Sequence, residues 1–366
     1  MRHRPATWSL GPIAALLATV FALAGCATTP AGQGSAYRKL ILEADPHFSG
    51  TVLVARGGHI AFLATLGPAG AARAGDRVWP WPSMSKAFTA IALLREAELG
   101  RVDLDKPLGA QVQGLDDPAA AAVTPERLMS HVARLPNGDA QYMAQKGYLA
   151  GLGAPLADVG DSTAWRRYCA GGAPEPSSGR YEYNNCDYQL ANDALERLAR
   201  TPYVALVSRE VTGRAGVSVS WRAVPPGPSQ AGGADFDLAR RDPAYGARTT
   251  AFGTASDLWR FDEALLGHRL LSPAHEARVL RTPSRLGQEA YGFGQYDTGL
   301  DGCKGDVRVV ERRGAGYGLT LLNLMVPDSD TVVVAISDEK GVSFGDVWDD
   351  ESLAHRLLSR VACAAR

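Results

Sequence analysis

The chain has 366 residues, 46% hydrophobic and 21% charged, an ordinary globular composition with length enough for a large core in one to three domains. Its net charge of −1 excludes the basic footprint of a nucleic-acid-binding protein. Arginine far outnumbers lysine, which occurs only as Lys39, Lys86, Lys106, Lys146, Lys304 and Lys340, so each lysine in a chemical motif carries added weight.

The first element in chain order is an address. Arg2, His3 and Arg4 precede an apolar stretch, residues 11–23, that is shorter than a comfortable membrane span. It ends in Leu23-Ala24-Gly25-Cys26, which resembles a bacterial lipobox. Residues 1–25 are therefore expected to be removed as a lipoprotein signal peptide and Cys26 to carry lipid; a plain secretory signal is the alternative. Either way the mature chain is expected in the cell envelope, and Ala27 after the cysteine suits the periplasmic face of the outer membrane if the cell is Gram-negative. Residues 26–36 are expected to form a flexible tether.

Residues 47–56 read as a strand, Gly57-Gly58 as a turn and residues 59–63 as the returning strand of a hairpin. A Trp/Pro-rich stretch, residues 78–82, then leads into Ser83-Met84-Ser85-Lys86 and the apolar run 87–94. This reads as a helix starting at Ser83 and stopping near Leu99-Gly100. A serine in the first turn and a lysine three residues on share one helical face. The helix N-terminus adds free N–H groups and a partial positive charge. Together these are the parts of an activated serine nucleophile with half an oxyanion hole. The same spacing recurs in Ser337-Asp338-Glu339-Lys340, but that copy follows the apolar run 331–336 and reads as a strand-exit turn.

Residues 101–108 turn into an extended segment, and residues 124–131 read as a short helix capped by Thr124 with Pro125 at its first position. Residues 137–178 read as loops with short helices, residues 188–210 as a helix broken near Pro202, and residues 223–246 as loop. Helices are predicted from Thr254 and from Ser272-Pro273. Strands are predicted at 318–325 and 331–337, joined by the turn 327–330, and a last amphipathic helix at 349–363. Strands cluster at both ends of the chain. The fold class is therefore α+β: an antiparallel sheet flanked by helices, built from residues 37–105 and 246–366, with a mostly helical domain, residues 106–245, inserted.

Cys169, Cys186, Cys303 and Cys363 form an even set in a chain expected to be exported, which favours disulfides over free thiols. Of the three pairings, Cys169–Cys186 and Cys303–Cys363 each join segments expected in the same part of the fold. No zinc-type spacing is present, so neither metal nor cofactor is expected.

These motifs together resemble the serine hydrolases that include class C β-lactamases, D-alanyl-D-alanine carboxypeptidases and related esterases. The resemblance runs from about Phe48 to the C-terminal helix. Ser83-Met84-Ser85-Lys86 matches the first motif of that family and Tyr183-Asn184-Asn185 its Tyr-x-Asn motif. Residues 124–131 resemble its Leu-Leu-Thr-His segment, although Ala133-Arg134 stands where Ser-Gly is usual. Residues 254–258 resemble its Ser-Thr-Ala-x-Asp-Leu element. The third motif, usually Lys-Thr-Gly or His-x-Gly, corresponds to Glu311-Arg312-Arg313-Gly314-Ala315.

The resemblance implies a β-lactamase/transpeptidase-like fold and acyl transfer without cofactor. Ser83 would be the nucleophile and Lys86 its proton partner. Tyr183 would act as general base and then as acid for the leaving group. Asn185 would orient the lysine and the substrate. Arg312 would bind a substrate carboxylate, support Tyr183 by charge, or simply pair with Glu311. The oxyanion hole would be the N–H of Ser83 with that of Ala315 after Gly314, and His131 would be structural. The expected substrate is a small ester, peptide or β-lactam, with an esterase or D-Ala-type peptidase favoured. A catalytically degenerate protein that binds cell-wall fragments in the same cleft is the alternative.

Overall fold

The computed structural model describes residues 31–67, 71–73, 75–135, 180–221, 250–281, 284–285, 287–316, 318–339 and 342–363. The expected signal peptide, Cys26, Cys169 and the two loop stretches at 137–178 and 223–246 lie outside the described residues. Helix α1 (Ala31–Ala44) occupies the second half of the segment expected to be a tether, and Tyr37 and Ile41 explain why: both are buried against the sheet.

Strands β1 (Gly50–Arg56), β2 (His59–Leu66) and β3 (Ala72–Arg73) form a meander from the N-terminal part. Trp79–Trp81 is a short strand, β4, and α2 (Ser85–Glu98) follows it. The short helices α3 (Pro118–Ala122) and α4 (Pro125–Met129) come next, α4 capped by the Thr124 hydroxyl, which accepts from the Arg127 N–H at 3.3 Å. Helix α5 (Asn185–Ala199) is followed by α6 (Tyr203–Val207), which continues through a π turn to Ala215. Strand β5 (Ala251–Gly253) pairs with β4 outside the main sheet. Helix α7 (Ala255–Leu266) starts in a full capping box made by Thr254 and Asp257, and α8 (Pro273–Arg281) follows. Strands β6 (Gly294–Gly299), β7 (Asp306–Gly316), β8 (Leu319–Val326) and β9 (Thr331–Ser337) complete the sheet before the last helix, α9 (Leu353–Ala362).

The main sheet has seven antiparallel strands in the order β3-β2-β1-β9-β8-β7-β6. Strand β1, from the start of the chain, lies beside β9, from its end, with Gly50 opposite Ser337. Helices cover both faces. On one, Leu53, Val334 and Ile336 face α7 and share a core with α2 and α5; on the other, Val52, Val54, Val333 and Ala335 share a core with α1 and α9. Every residue of β9 is buried, which is why its sequence is a continuous apolar run rather than an alternating one. Cys303 and Cys363 are bonded, as expected, tying the loop after β6 to the end of α9. Cys186 is also disulfide-bonded, to a partner outside the described residues.

Candidate active site

Ser83 stands in the turn between β4 and α2, one residue before the Met84 cap of α2, with φ of +61°. The helix therefore begins at Ser85, two residues later than the sequence suggests. A serine held in the left-handed region is strained, and the strain persists only because its neighbours fix it. Trp79, Trp81 and Met84, before and after it in the chain, are all fully buried. Lys86, the second residue of the helix, is buried with its Nζ donating to Ser83 Oγ at 3.2 Å and to Asn185 Oδ1 at 2.6 Å. The ammonium also lies 5.1 Å from the centre of the Tyr183 ring and 5.8 Å from that of Tyr188.

Tyr183 and Asn185 arrive on the segment that opens α5, whose Asn184 cap accepts from the Cys186 N–H at 2.9 Å. The Tyr183 hydroxyl is 3.1 Å from Ser83 Oγ. Hydroxyl, amine and phenol thus meet in one hydrogen-bonded group, although Ser83 and Tyr183 are 100 residues apart. Strand β7 supplies the opposite wall. Strand β6 begins only at Gly294, opposite Glu311, so one edge of residues 312–316 passes beside the nucleophile without a β6 partner. The approach is close enough to demand glycine: a Cβ on Gly314 would stand 2.0 Å from the Pro82 carbonyl oxygen. Ala315, the next residue, lines the cleft with Ser83.

Arg312 is almost wholly buried. Its Nη2 donates to the Tyr183 hydroxyl at 3.3 Å, and its Nη1 donates to the Glu289 carboxylate and to the Gly292 carbonyl at 3.2 Å. Glu311 is not its partner; that carboxylate pairs with Arg313 at 2.6 Å, because successive strand residues point to opposite faces. Of the roles open to Arg312, the geometry is that of a support for Tyr183, since both its Nη atoms are already engaged and its Nε is buried. Burial alone would raise the Tyr183 pKa, but Lys86 and Arg312 outweigh both that and the opposing charge of Glu289, so the phenol is held below its ordinary value. A phenol so placed can exchange a proton with Ser83.

Glu289 was not legible as a site residue. It sits on the segment between α8 and β6, where Gly292 (φ +84°) packs its backbone against Ala87 of α2. His131 is buried behind Tyr183, their ring centres 4.6 Å apart, and its Nδ1 lies 3.0 Å from Asp187 Oδ2 and 3.2 Å from the Asn184 N–H. Burial drives His131 toward its neutral form, helped by Lys86 and Arg312, and burial likewise pushes the Asp187 carboxyl well up despite Lys86. His131 therefore packs against the Tyr183 ring. No cluster of His, Cys, Asp and Glu suited to a metal occurs among the described residues.

The walls enclose a cleft of about 440 Å³ lined by Ser83, Tyr183, Asn185, Glu289, Gly314 and Ala315 among others. A larger groove at the α1/α9 face, about 660 Å³, lies among Tyr37, Arg56 and Arg356 and contains none of these groups.

Residues 41–355 match the Beta-lactamase family. No curated protein matches the chain. Among solved structures, the penicillin binding protein from Bacillus halodurans is 22% identical over 82% of this chain and 94% of its own, with a TM-score of 0.67. The D-amino acid amidase from Ochrobactrum anthropi SV3 is 16% identical over 90% and 97%, with a TM-score of 0.68. A D-stereospecific amidohydrolase from Streptomyces sp. is 20% identical over 83% and 94%, with a TM-score of 0.66. At these identities the structures establish the shared fold, and the family match over most of the length establishes descent: the chain belongs to the Beta-lactamase family of serine hydrolases.

Proposed function

We propose that the protein is an exported serine hydrolase that cleaves an ester or amide through an acyl-enzyme on Ser83, of esterase or D-Ala-type peptidase kind. The observation that carries this reading is the convergence of Ser83 Oγ, Lys86 Nζ and the Tyr183 hydroxyl within 3.2 Å contacts. Tyr183 as phenolate takes the Ser83 proton while Oγ attacks the carbonyl carbon. The oxyanion is received by the N–H groups of Ser83 and Ala315. Tyr183 then returns the proton to the departing oxygen or nitrogen, leaving the acyl group on Ser83. A water gives its proton to Tyr183 and its oxygen to the acyl carbon, and Ser83 regains the proton as the acid product leaves. Lys86 and Arg312 stabilise the phenolate throughout, and Asn185 holds Lys86 in place.

Placement in the envelope by a lipid on Cys26 belongs to the same reading. It is supported by the basic, apolar and lipobox-like order of residues 2–26 and by the bonded cysteines. The non-catalytic alternative draws no support from the site, because nucleophile, lysine and tyrosine are all in hydrogen-bonding range.

The test is covalent. The protein truncated at Cys26 should gain one adduct mass on Ser83 from a fluorophosphonate, and Ser83→Ala should lose ester turnover by a factor on the order of 10⁶. Wild-type turnover of a p-nitrophenyl ester by purified Ser83→Ala would refute the reading.

A further inference from the structure

The charges around the cleft bear on which substrate it accepts. Among its described lining residues the charged side chains are Glu289, Arg312 and Arg313. The Arg312 side chain is 1% exposed, and its Nη atoms are held by Glu289, Gly292 and Tyr183. Its Nε is buried with no hydrogen-bond partner, out of a ligand's reach. Arg313 faces two carboxylates, Glu311 at 2.6 Å and Asp346 at 3.5 Å, and donates to the Gly345 carbonyl at 2.7 Å. Arg313 is the most exposed of the three, at 35%, but its charge is met by those two carboxylates. Glu289 is 18% exposed on the cleft wall, with one oxygen held by Arg312 and a second that Arg312 does not hold. A neutral His131 lies behind it, with Nε2 4.0 Å from the oxygen that Arg312 holds.

We infer that Glu289 selects for a substrate whose leaving group carries a cation and against one whose leaving group carries a carboxylate. This rests on the acyl-enzyme reading above, because that reading fixes the direction. The phenol that hands its proton to the departing atom must face the leaving group. Arg312 and Glu289 follow Tyr183 in one hydrogen-bonded series, so they stand on that side. A carboxylate arriving there meets an exposed anion and finds both guanidinium groups already engaged. An ammonium meets Glu289 with an oxygen to spare. The substrate class is then an ester, thioester or amide of an amine-bearing alcohol, thiol or amine. Penicillin-type β-lactams, which carry a carboxylate beside the departing nitrogen, fall in the disfavoured class.

The test uses three butyryl thioesters with one acyl group and three leaving thiols: thiocholine (cationic), 2-mercaptoethanol (neutral) and 3-mercaptopropionate (anionic). Thiol release is followed with a chromogenic disulfide. For the wild type, kcat/KM should fall in that order, with about a hundredfold between the extremes, or about tenfold per unit charge at a partly solvated site. The spread should narrow at high salt. Glu289→Gln should compress the cation-to-anion ratio at least tenfold, while its rate on the neutral thioester reports any loss of Tyr183 geometry. A wild-type ratio at or below one overturns the inference even if Glu289→Gln fails to fold. So does a ratio unchanged in a Glu289→Gln variant that still cleaves the neutral thioester. Preference for the anion that vanishes in Arg313→Gln would assign the opposite specificity to Arg313. Failure of all three thioesters together with no fluorophosphonate adduct on Ser83 would instead sink the hydrolase reading itself.

Discussion

The most demanding consequence of the site is that two neighbouring substitutions should move its pH dependence in opposite directions. The Arg312 guanidinium lies 3.3 Å from the Tyr183 oxygen. A unit charge at that distance favours the phenolate by about 1 kcal/mol with aqueous screening and about 5 kcal/mol at an effective dielectric near 20. Glu289, paired with the same guanidinium, cancels part of this. A net effect of about 1–3 kcal/mol corresponds to about one to two pH units. Removing the cation in Arg312→Met makes the phenolate harder to form, so the acidic limb of the kcat/KM profile should move to higher pH by that amount. Removing the anion in Glu289→Gln leaves the Arg312 charge less compensated, so the limb should move to lower pH, by about half a unit or more. The assay is kcat/KM for a neutral p-nitrophenyl ester from pH 5 to 9, which reports groups of the free enzyme. Both limbs moving the same way, or neither moving while rates fall, would show that Tyr183 is not the titrating base.

Gly314→Ala places a methyl group 2.0 Å from the Pro82 oxygen, so β7 must withdraw. The expected cost is about 1–3 kcal/mol in thermal unfolding, with a fall in kcat of about 10² from displacing the Ala315 N–H; full activity would remove Ala315 from the oxyanion hole. Asp262, buried under the sheet, has its pKa pushed well up by burial, although the Asn323 amide donating at 3.0 Å opposes this. The native state then keeps a proton that the unfolded chain releases above about pH 4, so this group costs stability as pH rises, by up to about 1.4 kcal/mol per unit. Asp262→Asn should therefore raise Tm more at pH 8 than at pH 4, and an equal change at both would contradict the sign. Cys363→Ser opens a cross-link between residues 60 apart and should cost about 2–4 kcal/mol in urea unfolding. Ester hydrolysis at 25 °C should stay near wild type, because the bridge lies on the α1/α9 face, away from Ser83.

What could be read from the chain beforehand followed from how local each signal was. The caps Thr124 and Thr254, the apolar run of β9 and the turn Gly57-Gly58 each lie within a few residues of what they specify, and each element formed where its signal stood. Helix α1 gave little warning, since Gly32 and Gly34 lower its propensity and the burial of Tyr37 and Ile41 that fixes it is tertiary. Strand β6, Gly-Gln-Tyr-Asp-Thr-Gly, is an edge strand with its outer half exposed and too few β-formers to stand out. Strand β7 was identifiable in the charged run 311–313 only by likeness to known motifs, because charges in a buried strand make sense only beside their partners. Glu289 is the clearest case: 23 residues separate it from Arg312, and nothing in its own surroundings marks it. Ser83 and Lys86 share a helical face by their spacing, but the same spacing recurs at Ser337 and Lys340, and it was likeness to known motifs that singled out the first pair and added Tyr183 and Asn185.

The pairing of β1 with β9 also governs when this molecule comes into being. The hydrogen bond from Ser337 to the Ser49 carbonyl spans 288 positions, so the sheet can close only after nearly the whole polypeptide has been made. Topology of that kind slows folding and leaves early strands waiting for their neighbours. Ser83 leaves the ribosome long before Arg312 and Ala315 do. A nascent or truncated chain therefore carries the nucleophile without the wall that arms it, and stays inert until its last third is in place.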